Sequence, residues 1–411
     1  MKYLLAVTGS ISAYRAYDLL REYLRAGHNV RVILSSGAEK FVSAQMFRYL
    51  GAEAVYASEE DFKYPHHVSD TGTVLHVELA KWCDKFIVAP LSANSLGRFA
   101  RGEATDLMSS VFLTIEQHKP ILMFPAMNTH MLEHPFTREH LTQITKLKSL
   151  KQIFIHPTME GELACGDVGS GKLAPIEEIA ALTETWNANS KNKKVLITTG
   201  ATVAPLDNVR FLTNSSSGTT GYALAQESLA RGFETVVVAG IYATNKLELL
   251  KYHPGFTLIR VRTPSEMLSA VQPHFKSATA YISSAAVGDI EFEMSQGKLK
   301  KDQLSNTLAI KPGVDILKTV LSERTSEQTI IGFAAEYDLS DDNLKNKMAR
   351  KSVDFLVGTE VDNGLVHSQN VKGFRTDSAN YAFIYPNGNI VRETLAKSQM
   401  AKLVLDQVKH V

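Results

Sequence analysis

The sequence predicts two doubly wound, Rossmann-like α/β domains in tandem, and three observations carry that expectation. Short runs that are apolar throughout recur between amphipathic stretches, as buried parallel strands and their crossover helices do. The pattern stops at 187–194, which reads NANSKNKK, and then restarts. The chain has 411 residues, which suits two or three domains of about 100–200 residues each.

In the first half the expected strands are 3–7, 30–34, 86–89, 121–124 and 153–156. Between the first two, Ala13, Tyr17, Leu20 and Leu24 stand at helical spacing, and Gly27 follows as a stop. Strand, helix and strand repeated in this way imply a doubly wound sheet. The segment 187–194 has one alanine as its only apolar residue and is the expected linker, separating domains at 1–186 and 195–411. Beyond it, strands are expected at 195–198, 235–239, 258–261, 280–284, 329–333 and 355–357, with a helix around 222–230 that ends at Gly232.

Composition excludes several classes. Hydrophobic residues make up 44% and charged residues 21%, as in ordinary globular proteins and unlike disordered chains. A net charge of +1 offers nucleic acid no global attraction. A membrane span needs about 18 apolar residues in a row, and runs such as 121–125 are far shorter. MKYLLAVTGS is too brief in its apolar stretch for a signal peptide. Two cysteines, Cys83 and Cys165, make no disulfide framework. A soluble cytoplasmic protein is the expectation.

In open parallel sheets, ligands gather where strands end and helices begin. Gly9 and Ser10 follow the first strand; they suit either a phosphate cradle or a plain turn with a capping serine. Ser92 and Asn94, in PLSANS, read the same two ways. Asn214-Ser215-Ser216-Ser217-Gly218 with Gly221 is a stronger phosphate cradle, with a surface loop as the alternative. Lys298, Lys300 and Lys301 form one basic run, and Lys345, Lys347, Arg350 and Lys351 another; each is a solvated face unless the strand ends at Asp289 and Phe333 bring a nucleotide to it. His76 in VLHVELAKW is either a packed histidine or a base. Asn128 either binds a carboxylate or satisfies its loop. Cys165 sits in the glycine-rich ELACGDVGSGKL, whereas Cys83 in KWCDKF reads as a packing residue. His66-His67 reads as loop, and no His/Cys cluster has zinc spacing.

Together these motifs resemble those of the bifunctional coenzyme A biosynthesis proteins, CoaBC or Dfp. The resemblance runs over nearly the whole chain, in order: TGSISAY, VLHVELAKW, PAMNTHM, ACGDVGSGKL, VRFLTNSSSGTTGYA, AAVGD, KLKK and GFAAE. It implies an N-terminal flavodoxin-like flavoprotein domain and a C-terminal ligase domain. The first is a phosphopantothenoylcysteine decarboxylase that uses FMN, lined by Gly9, Ser10, Ser35, Ser92 and Asn94. Oxidation of the substrate thiol to a thioaldehyde gives the electrons of the departing carboxylate somewhere to go. By resemblance His76 is the base or orienting group, Asn128 binds the carboxylate, and Cys165 is a proton donor on a flap over the substrate.

For the second domain the resemblance implies a phosphopantothenate–cysteine ligase. The carboxylate of 4'-phosphopantothenate attacks CTP, with Mg2+, to form an acyl-cytidylate that cysteine's amine then displaces. Lys298 serves activation and Asn214 handles the intermediate, with Arg210 beside it. Asp289, Lys298, Gly313, Val314, Asp315, Ile316, Phe333, Lys347 and Lys351 match nucleotide positions; metal ligands are not indicated. The implied assembly is a homo-oligomer, a dodecamer of flavin-domain trimers and ligase-domain dimers, with each FMN site completed across a subunit contact. The chain departs from the family pattern at Leu132, at Gly288 in AAVGD, at Gly313-Val314 and at Thr359-Glu360. Two other functions remain open to a flavoprotein of this type: peptidyl-cysteine decarboxylation, against which a ligase half argues, and halotolerance-type regulation of a phosphatase.

Overall fold

The computed structural model describes residues 1–62, 74–147, 152–162, 166, 168–187, 192–293, 297, 307–362, 371–373 and 376–408. Cys165, Lys298, Lys300, Lys301, His66 and His67 therefore lie outside the described residues. The chain divides into two units, Met1–Ala188 and Asn189–Val411.

The first unit runs β1 (Lys2–Val7), α1 (Ala16–Arg25), β2 (Asn29–Leu34), α2 (Ala44–Tyr49), β3 (Ala54–Tyr56), α3 (Leu75–Trp82), β4 (Lys85–Leu91), α4 (Ala93–Arg101) and α5 (Leu107–Thr114). It continues through β5 (Ile121–Pro125), α6 (Thr129–Glu133), α7 (Pro135–Lys146), β6 (Ile153–Ile155), β7 (Met159–Glu162), β8 (Val168–Lys172) and α8 (Ile176–Thr185). Six strands form one parallel sheet in the order β3-β2-β1-β4-β5-β6. Without the three-residue edge strand β3, this is the flavodoxin-like order. β1, β4 and β5 are buried along almost their whole length, which is why their sequences show no alternation. The expected first helix begins as a 3-10 turn, Ile11–Arg15, before α1 takes over, and Gly27 ends it at φ 82°. Cys83 is fully buried, and burial pushes its thiol up to about 12, as befits a packing residue.

The second unit contains β9 (Lys194–Thr199), β10 (Val203–Pro205), β11 (Phe211–Thr213), α9 (Thr219–Ala230), β12 (Glu234–Gly240), β13 (Phe256–Val261), α10 (Pro264–Phe275), β14 (Ala280–Ser283) and β15 (Ile290–Phe292). There follow β16 (Ile310–Pro312), α11 (Ile316–Leu321), β17 (Thr329–Glu336), α12 (Asp341–Lys351), β18 (Phe355–Glu360), β19 (Ser378–Ile384), β20 (Ile390–Ala396) and α13 (Lys397–Leu405). Its eight-stranded sheet has the order β13-β12-β9-β14-β17-β18-β19-β20. The strands through β18 are parallel, and the β19–β20 hairpin extends the sheet antiparallel. β17 runs beyond Phe333 to Glu336, because Ala334–Glu336 continue to pair with β18. Phe333 therefore lies within the strand rather than at its end. β9 begins at Lys194, within the expected linker, and its Nζ reaches Ser277 Oγ at 3.2 Å. Among the described residues no helix is long and apolar enough to cross a membrane.

Candidate functional site

Strand order reverses between β1 and β4 in the first unit, and a crevice must open there above the strand ends. Thr8 holds the two ends together: its Oγ1 donates to Pro90 O at 2.8 Å and accepts from Ser92 N at 2.7 Å. Gly9 is needed because a Cβ there would lie 2.9 Å from Gly37 Cα, where the loops after β1 and β2 pack. Ser10 caps the 3-10 turn and Ser92 caps α4 by accepting from Ser95 N at 3.4 Å. Asn128 Oδ1 accepts from His130 N at 2.9 Å and so caps α6.

A cavity of ≈ 660 Å³ occupies this crevice. Gly9, Ser10, Ser92, Asn94 and Asn128 all line it, joined by Tyr14 and Met131 and by Glu162, Gly171 and Lys172 of the β7–β8 hairpin. Lys172 and Glu162 carried no signal in the sequence beyond the glycine-rich surroundings. Cys165 falls between β7 and β8 in sequence, outside the described residues.

Two expected residues stand elsewhere. Ser35 is buried, and its Oγ accepts from Ala38 N at 3.1 Å, capping the turn after β2 instead of lining the cavity. His76 also does not line the cavity. It is the second residue of α3, with Nδ1 2.7 Å from Asp61 Oδ2 and its own N–H donating to Asp61 Oδ1 at 3.1 Å. Asp61 was not singled out in the sequence, since only the fold brings it to α3.

In the second unit the reversal lies between β9 and β14. A cavity of ≈ 80 Å³ there is lined by Ser216–Thr220 at the start of α9, by 284–286 after β14, and by Phe333, Thr359 and Lys397. Asn214 Nδ2 donates to Ala286 O at 3.2 Å, which ties the cradle to the loop after β14. Arg210 is held by buried Asp207, whose Oδ2 accepts from Nε at 3.0 Å. The spacing of Asp207 three residues before Arg210 was the signal available for it. Lys397 is buried and donates to Thr219 Oγ1 at 2.8 Å and to Thr376 O. Nothing local marks a residue 178 positions from its partner.

Among the remaining nucleotide candidates, Asp289, Asp315, Lys347 and Lys351 form a charged cluster beside β17. Lys351 Nζ donates to Phe333 O at 3.2 Å, and Lys347 pairs with Glu336. Burial pushes the Lys351 ammonium below its ordinary value, opposed by Asp315 and Asp289. Burial and the like charge of Lys351 push Lys347 down as well, again opposed by Asp289. Asp315 Oδ1 accepts from Lys318 N at 2.9 Å and caps α11, which begins at Ile316. Two departures from the family pattern touch: a Cβ on Gly313 would lie 2.5 Å from Gly288 O. Glu360, another departure, is held low by Lys372 and Asn380. Among the described residues no group of three His, Cys, Asp or Glu side chains is arranged to hold a metal ion.

Comparison with known proteins gives matches along the whole chain. Residues 1–188 match the family model described as flavoprotein, and residues 190–411 match that of the DNA/pantothenate metabolism flavoprotein C-terminal domain. The coenzyme A biosynthesis bifunctional protein CoaBC of Bacillus subtilis is 34% identical over 392 residues, covering 94% of this chain and 91% of that protein. That of Mycobacterium bovis is 31% identical over 424 residues, covering 98% and 95%. Among solved structures, a phosphopantothenoylcysteine decarboxylase variant complexed with pantothenoylaminoethenethiol is 31% identical, with a TM-score of 0.40, over 44% of this chain and 95% of that one. The C-terminal domain of a CoaBC protein is 28% identical, with a TM-score of 0.41, over 53% and 95%.

Proposed function

This chain belongs to the CoaBC family of bifunctional coenzyme A biosynthesis proteins, and from that premise we propose that it makes 4'-phosphopantetheine in two steps. The second unit joins cysteine to 4'-phosphopantothenate with CTP, and the first unit decarboxylates the product. The observation that carries the reading is the cavity at the β1/β4 crevice, in which Gly9, Ser10, Ser92, Asn94 and Asn128 converge.

The residues present there fit FMN. The cavity lies within the range of about 300–1,000 Å³ usual for small-molecule sites. Gly9 lets the backbone come close, and the start of α4 at Ser92 favours a phosphate's negative charge. FMN, when bound, supplies the two-electron acceptor that lets a carboxylate leave a carbon next to a thiol-bearing one. Asn128 offers its amide Nδ2 to the departing carboxylate, since Oδ1 already accepts from His130 N. His76 acts as the base, reaching the cavity of a neighbouring copy in a homo-oligomer of flavin-domain trimers and ligase-domain dimers. Cys165 delivers the final proton, and the β7–β8 hairpin that carries it covers the substrate.

In the ligase step Ser216–Thr220 receive the triphosphate, and Lys298 neutralises charge as the carboxylate attacks the α-phosphorus. Mg2+, if carried in with the triphosphate, would offset part of the charge that builds on the phosphates. Asn214 and Arg210 hold the acyl-cytidylate while cysteine's amine displaces CMP. Asp289, Gly313–Ile316, Phe333, Lys347 and Lys351 bind the nucleotide. The setting is cytoplasmic.

The test is mass spectrometry of products formed from 4'-phosphopantothenate, cysteine, CTP and magnesium by the purified protein. Phosphopantetheine is the expected product. Accumulated phosphopantothenoylcysteine would remove the decarboxylase assignment, and unconverted phosphopantothenate would remove the ligase assignment.

A further inference from the structure

We infer that Asp61 is the positioning residue of His76: it keeps the proton on Nδ1 and leaves Nε2 as the nitrogen offered to substrate. The inference rests on the reading of His76 as the base of the decarboxylase step.

Asp61 lies in the 3-10 turn Glu60–Phe62, 15 residues before His76. Both of its oxygens are committed to that one residue. Oδ2 stands 2.7 Å from His76 Nδ1, and Oδ1 accepts the His76 main-chain N–H at 3.1 Å. The carboxylate side chain is only 6% exposed, whereas the imidazole is 26% exposed. A carboxylate can only accept, so the proton between Oδ2 and Nδ1 belongs to the ring. The neutral ring then carries its lone pair on Nε2, and among the described residues Nε2 has no hydrogen-bond partner.

The start of α3 explains why the carboxylate stays in place. Its N-cap residue, Val74, has no side chain able to accept from the first-turn amides. Asp61 does so from a distance, and a negative charge is favoured at a helix N-terminus. One carboxylate thus closes the helix and fixes the tautomer and the plane of the ring. This is the logic of any acid–base histidine oriented by a carboxylate behind it.

A capping role alone and a tautomer role predict different things of Asp61→Asn. The amide oxygen still accepts the His76 N–H, so α3 remains capped. The amide NH2 faces Nδ1 and donates to it, which moves the ring proton to Nε2. The experiment uses the full-length FMN-loaded protein with phosphopantothenoylcysteine as substrate, comparing wild type, Asp61→Asn and His76→Asn. Solid-state NMR of 15N-histidine-labelled protein reads the His76 tautomer, with His76→Asn identifying the signal. Asp61→Asn should stay folded with FMN bound and only a small drop in melting midpoint, show the Nε2–H tautomer, and lose roughly 10²–10⁴-fold in kcat with KM little changed. Decarboxylation at the wild-type rate by Asp61→Asn, with His76→Asn inactive, would overturn the inference. So would a slowed Asp61→Asn that keeps the proton on Nδ1. Full activity of His76→Asn would instead remove the role of His76 itself.

Discussion

Gly313 donates its main-chain N–H to Asp289 O at 2.8 Å, and the same approach leaves no room for a side chain beside Gly288. The main chain at Gly288 therefore requires a glycine at 313, whereas a Cβ on Gly288 itself would make only ordinary contacts, 3.7 Å from Thr202 Oγ1. Gly313→Ala should push the end of β16 away from Asp289 and raise the KM for CTP about tenfold, equivalent to roughly 1.4 kcal/mol. Pyrophosphate release measured against CTP concentration checks this, with FMN content as the unaffected control. An unchanged KM would mean that the contact serves packing alone.

Lys351 links the end of α12 to the main chain of Phe333 at 3.2 Å, and Lys347 stands beside it paired with Glu336. Burial already disfavours the Lys351 charge, so an incoming triphosphate gains more from it than from an exposed lysine. Lys351→Met should raise the KM for CTP about tenfold or more while the decarboxylase rate on supplied phosphopantothenoylcysteine stays level. Equal losses in both reactions would point to unfolding instead.

At Gly171 a Cβ would run into the carbonyl oxygen of Met127, which accepts no such neighbour without moving the β7–β8 hairpin. Met127 N donates back to Gly171 O at 3.0 Å, so hairpin and cavity wall are joined at this point. Gly171→Ala should weaken FMN retention by about tenfold or more, read from flavin absorbance after dialysis. Full flavin content would show that the wall adapts.

Asn214 reaches Ala286 O through Nδ2 at 3.2 Å, a bond that needs a donor. Asn214→Asp replaces the donor by an acceptor and sets two oxygens against each other. Pyrophosphate should still be released while the amide yield falls on the order of a hundredfold, as the acyl-cytidylate loses its holder. A normal amide yield would defeat that role.

Lys85, the first residue of β4, is buried and donates to Thr183 O at 2.5 Å and Glu184 O at 3.4 Å, closing the C-terminus of α8. Burial pulls its ammonium from 10.5 down to about 8, against the pull of Glu184 and Asp84. Between those values the unfolded chain holds a proton that the folded chain has released, so this lysine makes stability rise with pH across that window. Lys85→Met lacks the rise. Its stability relative to wild type should fall by up to about 1.4 kcal/mol per pH unit from about pH 8 to pH 10.5, measured by urea unfolding. A difference that does not vary with pH would refute the linkage.

The parallel strands other than β3 were legible in the sequence, most of them because a strand buried on both faces writes itself as an uninterrupted apolar run; the edge strand β13 is only partly buried. β3 has three residues, too few for any pattern, and neither β19, SANYAFI, nor the largely exposed β20, IVRETLA, is an uninterrupted apolar run. Gly9, Ser10, Ser92, Asn94 and Asn128 were legible as candidates because turns after strands need small or capping residues at fixed offsets. That they share one cavity was decided by strand order, which the sequence does not state locally.

By itself, then, the sequence determined the two-domain α/β plan, the family and the identity of most candidate residues, all of which are written in short-range periodicity and motif order. Only the tertiary structure decided that Ser35 caps a turn, that His76 is gripped by Asp61, that Lys397 reaches Thr219, and that Gly288 and Gly313 meet. Each of these depends on side chains or backbone that are distant in sequence and brought together by sheet pairing and burial. Local pattern carries no record of such partners, because the free energy that selects them is released only when the layers pack.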